Sequence, residues 1–118
     1  MADSFSDTQL AHEKLDVYQC ALQFLGLANS VMDQLPSGSK VIIDQLDRAA
    51  LSIVLNIAEG VGKRSSADKH KFFASARGSA MECGGIFDVL KIQRKLTEDV
   101  YLQAKRLLVR IVQMLTKM

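Results

Sequence analysis

Nowhere in these 118 residues does a strand-length run alternate apolar and polar side chains, whereas apolar residues return at helical spacing from end to end. A chain with that one period buries its apolar surface by packing helix against helix. The first block carries Leu15, Val17, Tyr18, Leu22, Leu25, Ala28, Val31, Met32 and Leu35, and stops at Leu35-Pro36-Ser-Gly-Ser39. Proline disfavours helix in the residue before it. The start is open: Ser6 with Gln9 forms a possible capping box, and a start nearer His12 fits equally. A second helix begins at Ser39–Lys40 and runs to about Glu59, with Gly60 and Gly62 as its stop. The third follows Ser65, with Asp68 three residues on as in a capping box, and carries Phe72, Phe73, Ala76, Ala80, Cys83, Ile86, Phe87 and Leu90. Thr97 is a good N-cap for the fourth, and Glu98 and Asp99 suit its positive end.

The predicted helices therefore span about 10–35, 40–59, 66–94 and 98–117. At 1.5 Å per residue they are roughly 30–40 Å long. Short connections between them predict an all-α, antiparallel up-down-up-down four-helix bundle, a single domain over residues 1–118.

Bulk properties exclude several classes. A hydrophobic fraction of 48%, with one Pro, argues against disorder. Cys20 and Cys83 stand far apart and form no CxxC pair, so they read as buried reduced thiols. The polar, acidic opening Met-Ala-Asp-Ser-Phe-Ser-Asp lacks secretory-signal character, and the longest apolar run, Ala49 to Leu55, is far too short to span a bilayer. The expected compartment is the cytoplasm.

Two helices depart from a simple amphipathic pattern. The second is apolar almost all round from Leu46 to Ala58, including Leu51, Val54 and Leu55. A bundle buries one side of each helix, so a second apolar face predicts another surface, that of a second subunit. The third contains Gly78, Gly84 and Gly85, each costing about 1 kcal/mol against Ala in a helix interior. Close approach by a neighbouring backbone would explain them, and Ala76, Ala80 and Gly84 make an i, i+4, i+8 stripe of small residues that fits.

Charge is uneven. Residues 1–59 hold three Lys/Arg against eight acids, a formal charge of −5; residues 60–118 hold twelve against five, or +7. That split creates a field for polyanions or acidic partners, or lets one half complement the other. The basic residues gather in Lys63, Arg64, Lys69, His70, Lys71 and Arg77, where the second helix turns into the third. This is the candidate nucleic-acid-binding surface, since phosphate contact needs only Lys/Arg within reach of a backbone. A second group comprises Lys91, Arg94, Lys95, Lys105, Arg106 and Arg110. No exposed aromatic interleaves the first cluster, so base stacking is not indicated.

Tests for chemistry come out thin. Gly60-Val-Gly-Lys63 fails as a phosphate loop, because Ile57 stands where the pattern requires its first Gly and Arg64 where it requires Ser/Thr. Arg64 and His70 match the loose Arg-x(4–6)-His pattern of HEPN ribonucleases, with His as general base for a ribose hydroxyl and Arg on the phosphate. Chance produces that match often. His12 with Asp16 has no third ligand nearby, so no metal is expected, and no motif calls for a cofactor. Ser52, Asn56 and Glu59 share one face of the second helix, and Ser79 and Glu82 one face of the third. These five read as a hydrogen-bond network that fixes helix register, in preference to a ligand pocket.

The same residues carry a family resemblance. Leu15-Asp-Val-Tyr18, Gln45-Leu46, Ser52-Ile53, Asn56-Ile-Ala-Glu-Gly60, Gly62-Lys-Arg-Ser65, Phe72-Phe73, Ala76, Gly78-Ser79 and Glu82 resemble the bacterial four helix bundle protein family. That family is also called the 23S rRNA intervening-sequence (S23-type) family. Arg77 and the Cys83-Gly-Gly85 run depart from its usual pattern. The resemblance implies a four-helix bundle and a homo-oligomeric ring, expected to be a pentamer. More distantly, the chain resembles accessory proteins of diversity-generating retroelements, which implies a basic ring surface for nucleic acid. The expected function is a non-enzymatic oligomeric adaptor that binds RNA, DNA or an associated protein. The alternatives are a purely structural oligomer and a HEPN-like ribonuclease.

Overall fold

The computed structural model describes residues 8–118. Four helices fill it: α1 (Asp16–Gln34), α2 (Lys40–Val61), α3 (Ser66–Ile92) and α4 (Glu98–Thr116), with no strand among the described residues. Contacts run round a closed cycle, α1 on α2, α2 on α3, α3 on α4 and α4 back on α1. The result is a compact helical bundle with one core. Phe24 of α1 and Phe87 of α3 meet at its centre, ring centroids 5.6 Å apart. Leu46, Ile53 and Ile57 of α2, Cys83 and Leu90 of α3 and Ile111 of α4 are fully buried around them. Burial, reinforced by Glu82, pushes the Cys83 thiol up to about 12, and both Cys20 and Cys83 are free thiols. No helix of the described residues is long and apolar enough to cross a membrane.

The helix ends follow local chemistry, with three departures from the sequence reading. The first helix is shorter than 10–35. A 3-10 turn at Ala11–Lys14 precedes it, and Leu15 is extended at φ −84, ψ 134. That turn is held by the Glu13 carboxylate, which accepts from the Leu10 N–H at 2.8 Å, and by the Gln19 amide, which donates to the Glu13 carbonyl at 3.0 Å. The capping box at Ser6 lies outside the described residues. At the far end Leu35 is extended ahead of Pro36, as proline dictates.

Gly60 is the second departure. It does not end α2; it is buried within its last turn, facing the Phe73 ring of α3. A Cβ there would lie 2.7 Å from Phe73 Cε1 and 3.2 Å from Phe72 Cβ, so glycine serves a close approach between α2 and α3. Gly62 caps the helix, its N–H donating to the Ala58 and Glu59 carbonyls. On α3 the situation is reversed: a Cβ at Gly78 or Gly85 would meet nothing within 4 Å, and one at Gly84 would make only ordinary contact. The α3 glycines therefore relieve no crowding within the chain.

Ser65 and Thr97 cap α3 and α4, their hydroxyl oxygens accepting from the Asp68 and Val100 N–H groups at 3.1 and 3.2 Å. The third departure is the end of α3. The chain leaves through Arg94 at φ +58, with Lys95 N–H donating to Leu90 O and Arg94 N–H to Lys91 O. This is a Schellman exit with arginine where glycine is usual.

Candidate functional site

The basic residues at the α2–α3 turn divide by what they already touch. Lys63 forms an ion pair with Glu59, Nζ to Oε2 3.1 Å, and lies 5.1 Å over the Phe72 ring. Lys69 Nζ donates to the Val61 carbonyl at 2.9 Å, closing the C-terminal end of α2 from the first turn of α3. Arg77 reaches α4, donating to Thr116 Oγ1 at 3.4 Å. Arg64, His70 and Lys71 remain: all are exposed and make no hydrogen bond or ion pair with the described residues. Three of the six residues are thus tied to the fold, and three are free for a ligand. Arg64 and His70 face solvent with no contact linking them. That spacing supplies the residue types of a HEPN pair without a built catalytic arrangement.

The second basic group is more committed than sequence spacing indicates. Asp88 on α3 accepts from the Tyr101 hydroxyl at 2.7 Å and from Lys105 Nζ at 3.0 Å, both on α4. Lys91 and Lys105 lie 4.3 and 5.6 Å from the Tyr101 ring centroid, and Lys91 also approaches Glu98 at 3.5 Å. The Tyr101 hydrogen bond, then that of Lys105, holds the Asp88 carboxyl below its ordinary value; the Asp88 bond in turn raises Lys105. Tyr101 and Lys105 stand one helical turn apart, a pairing visible in sequence, but their shared partner thirteen residues upstream is not.

Of the five polar residues expected to form a network, three come together. Ser79 Oγ donates to Ser52 Oγ at 2.8 Å across α2 and α3, and Asn56 Nδ2 donates to Ser52 Oγ and Ser52 O, both at 2.9 Å. This cluster is half-buried at the helix seam. Glu59 and Glu82 stand outside it, both exposed, Glu59 turned to Lys63. One turn after Asn56 the α2 face has already rotated towards solvent, and α3 does the same by Glu82. Ser39 Oγ is buried without a partner at the start of α2.

Two apolar features face outward. Leu51 and Leu55 of α2 are 43% and 56% exposed, while Leu46, Ala49, Ala50, Ile53, Val54 and Ile57 are covered by the chain itself. Between α3 and α4 lies a cleft of about 410 Å³, lined by Met81, Gly84, Gly85, Leu108, Val109 and Val112.

A comparison with protein families matches residues 13–117 to the 23S rRNA-intervening sequence protein family. The chain belongs to that family. The match covers all four helices, so the intervening-sequence assignment rests on the whole bundle, beyond the Asn56–Gly60 segment that signals it in sequence. The bundle is also similar to a crystal structure from Bacteroides thetaiotaomicron, described as a protein with unknown function from the S23 ribosomal protein family. The TM-score is 0.79 at 23% identity, over 86% of this chain and 92% of that one. At that identity the likeness is one of fold. No curated protein matches this intervening-sequence family member. Among the described residues no group of three or more His, Cys, Asp or Glu side chains could hold a metal ion.

Proposed function

We propose that this member of the intervening-sequence family is a non-enzymatic, homo-oligomeric adaptor that binds the backbone of RNA or DNA through Arg64, His70 and Lys71. The observation that carries this reading is their freedom: they alone of the six turn residues lack a partner in the fold. The charge of residues 60–118, +7, supports it by drawing polyanions to that side. The finer architecture belongs to the same proposal. Alternating helix directions are supported by Asp88 pairing with Tyr101 and Lys105 while Arg77 pairs with Thr116. Assembly into a ring, a pentamer by family resemblance, would cover Leu51 and Leu55. The cytoplasm is the proposed compartment, consistent with two buried free thiols.

Fluorescence anisotropy of labelled RNA and DNA at several salt concentrations tests this. Affinity should fall steeply with salt, and Arg64→Ala with Lys71→Ala should flatten the log–log slope by about one unit for each phosphate that the variant leaves unneutralised. No binding at low salt refutes the reading. Running the products on a gel reports the ribonuclease alternative, since cleavage that disappears in His70→Ala would establish that chemistry instead.

A further inference from the structure

The exposed leucines of α2 and the cleft between α3 and α4 are matched in shape and opposite in charge. Leu51 and Leu55 are one turn apart and form a short ridge on the face of α2 away from the core. Acids dominate its flanks, Asp44, Asp47 and Glu59 against Arg48, all exposed. Two of these acids hold only surface i, i+4 pairs, with Lys40 and Lys63, which exchange partners readily. Opposite in character, the cleft has an apolar wall of Met81, Leu108, Val109 and Val112, and a floor left bare by Gly84 and Gly85. A Cβ at Gly85 would meet nothing within 4 Å, and one at Gly84 only Lys105 Nζ and Leu108 Cδ1, at 3.8 and 4.0 Å. Two adjacent glycines weaken a helix, and nothing within the chain requires them here. The room they leave opens outward. Arg106 and Arg110 flank the half-exposed Val109 on the cleft's α4 side, with Lys105 at its rim.

Building on the homo-oligomer reading above, we propose that this cleft receives the Leu51–Leu55 ridge from a second copy of the chain. The bare glycine floor lets the incoming helix approach closely. Acids beside the ridge then meet the arginines beside the cleft, which is the use to which the −5 and +7 halves of the sequence are put. The two surfaces are different, so the contact is heterologous. Each copy offers one ridge and one cleft, and successive copies continue until the rotation closes a ring.

Sedimentation velocity on the full chain tests the docking with two variants, checked for parental helicity by circular dichroism. Leu51→Asp/Leu55→Asp removes the ridge; Gly84→Leu/Gly85→Leu fills the cleft in space the fold leaves open. The parent should sediment well above its 13.0 kDa chain mass, and each variant alone as a monomer. An equimolar mixture of the two should form a particle of two chains, because each variant retains the surface the other needs. An assembled parent whose variants keep its size overturns the docking and leaves the homo-oligomer reading standing. So does a mixture of monomers that fails to pair. A monomeric parent at all concentrations overturns both. Should a leucine or glycine variant fail to fold, the charges decide. Arg106→Glu/Arg110→Glu should dissociate the assembly and pair on mixing with Asp44→Lys/Asp47→Lys; no effect on size overturns the proposal.

Discussion

Gly60→Ala is the substitution on which the packing of α2 against α3 can be judged most sharply. Inside a helix the change should gain about 1 kcal/mol from propensity alone. At Gly60 the new methyl would sit 2.7 and 2.9 Å from two Phe73 ring carbons and 3.2 Å from Phe72 Cβ. Carbon contacts are optimal near 3.5–4.0 Å. Relief requires the ring to retreat by about 1 Å, and Phe73 is buried at 7% exposure with α3 backbone behind it. Overpacking of this kind costs about 1–3 kcal/mol. Subtracting the propensity gain leaves a net loss of about 1 kcal/mol, or roughly 4 °C in Tm for a chain of this size. Urea unfolding at fixed protein concentration should show a lower midpoint with unchanged slope. Gly78→Ala supplies the internal control: its Cβ enters open space, so it should stabilise by about 0.5–1 kcal/mol. A double-mutant cycle with Phe73→Leu should recover about 1 kcal/mol of coupling. If Gly60→Ala is as stable as Gly78→Ala, the close-approach argument is wrong.

Arg94→Gly should stabilise the chain by about 1 kcal/mol, because φ +58 burdens any residue with a Cβ; an unchanged unfolding midpoint would refute the strain. Asp88→Asn should remove a surface contribution of about 0.5 kcal/mol, discounted for its exposure. The sign follows from linkage. Asp88 is lowered on folding, so its contribution is present above the ordinary 3.8 and lost as pH falls through the lower folded value; Lys105 is raised, so its contribution is present below 10.5 and lost at higher pH. Stability–pH curves of parent and variant should therefore differ between these limits and converge in acid; parallel curves would contradict the assignment. Ser79→Ala should cost about 1 kcal/mol by removing the donor to Ser52 at the α2–α3 seam, read by chemical denaturation.

The helix count is legible in sequence because each boundary carries a local chemical marker: Pro36, Ser65 and Thr97 act within one turn of themselves. Gly60 escapes sequence reading for the complementary reason. A glycine that ends a helix and one that admits a neighbour's ring look identical until the neighbour is placed, and Phe73 lies thirteen residues downstream. The basic cluster is legible as composition only. Which lysines remain free depends on Val61 O, Glu59 and Thr116 arriving beside them, through tertiary contacts in two cases. Extending a helical face one turn too far misplaces Glu59 in the polar network. The all-round apolarity of α2 foreshadows the outward-facing leucines, although α1 and α3 cover more of that surface than the pattern implies.

The tie between Tyr101 and Asp88 makes the protein its own optical gauge. The chain has no Trp and two Tyr, so its intrinsic fluorescence comes from Tyr18 and Tyr101 alone. The phenol of Tyr101 is bound to a carboxylate on the neighbouring helix and its ring lies against two ammonium groups. A carboxylate acceptor quenches tyrosine emission. Separation of α3 from α4, by heat, denaturant or a guest in the cleft beside Asp88, will therefore register as a brightening that needs no added label.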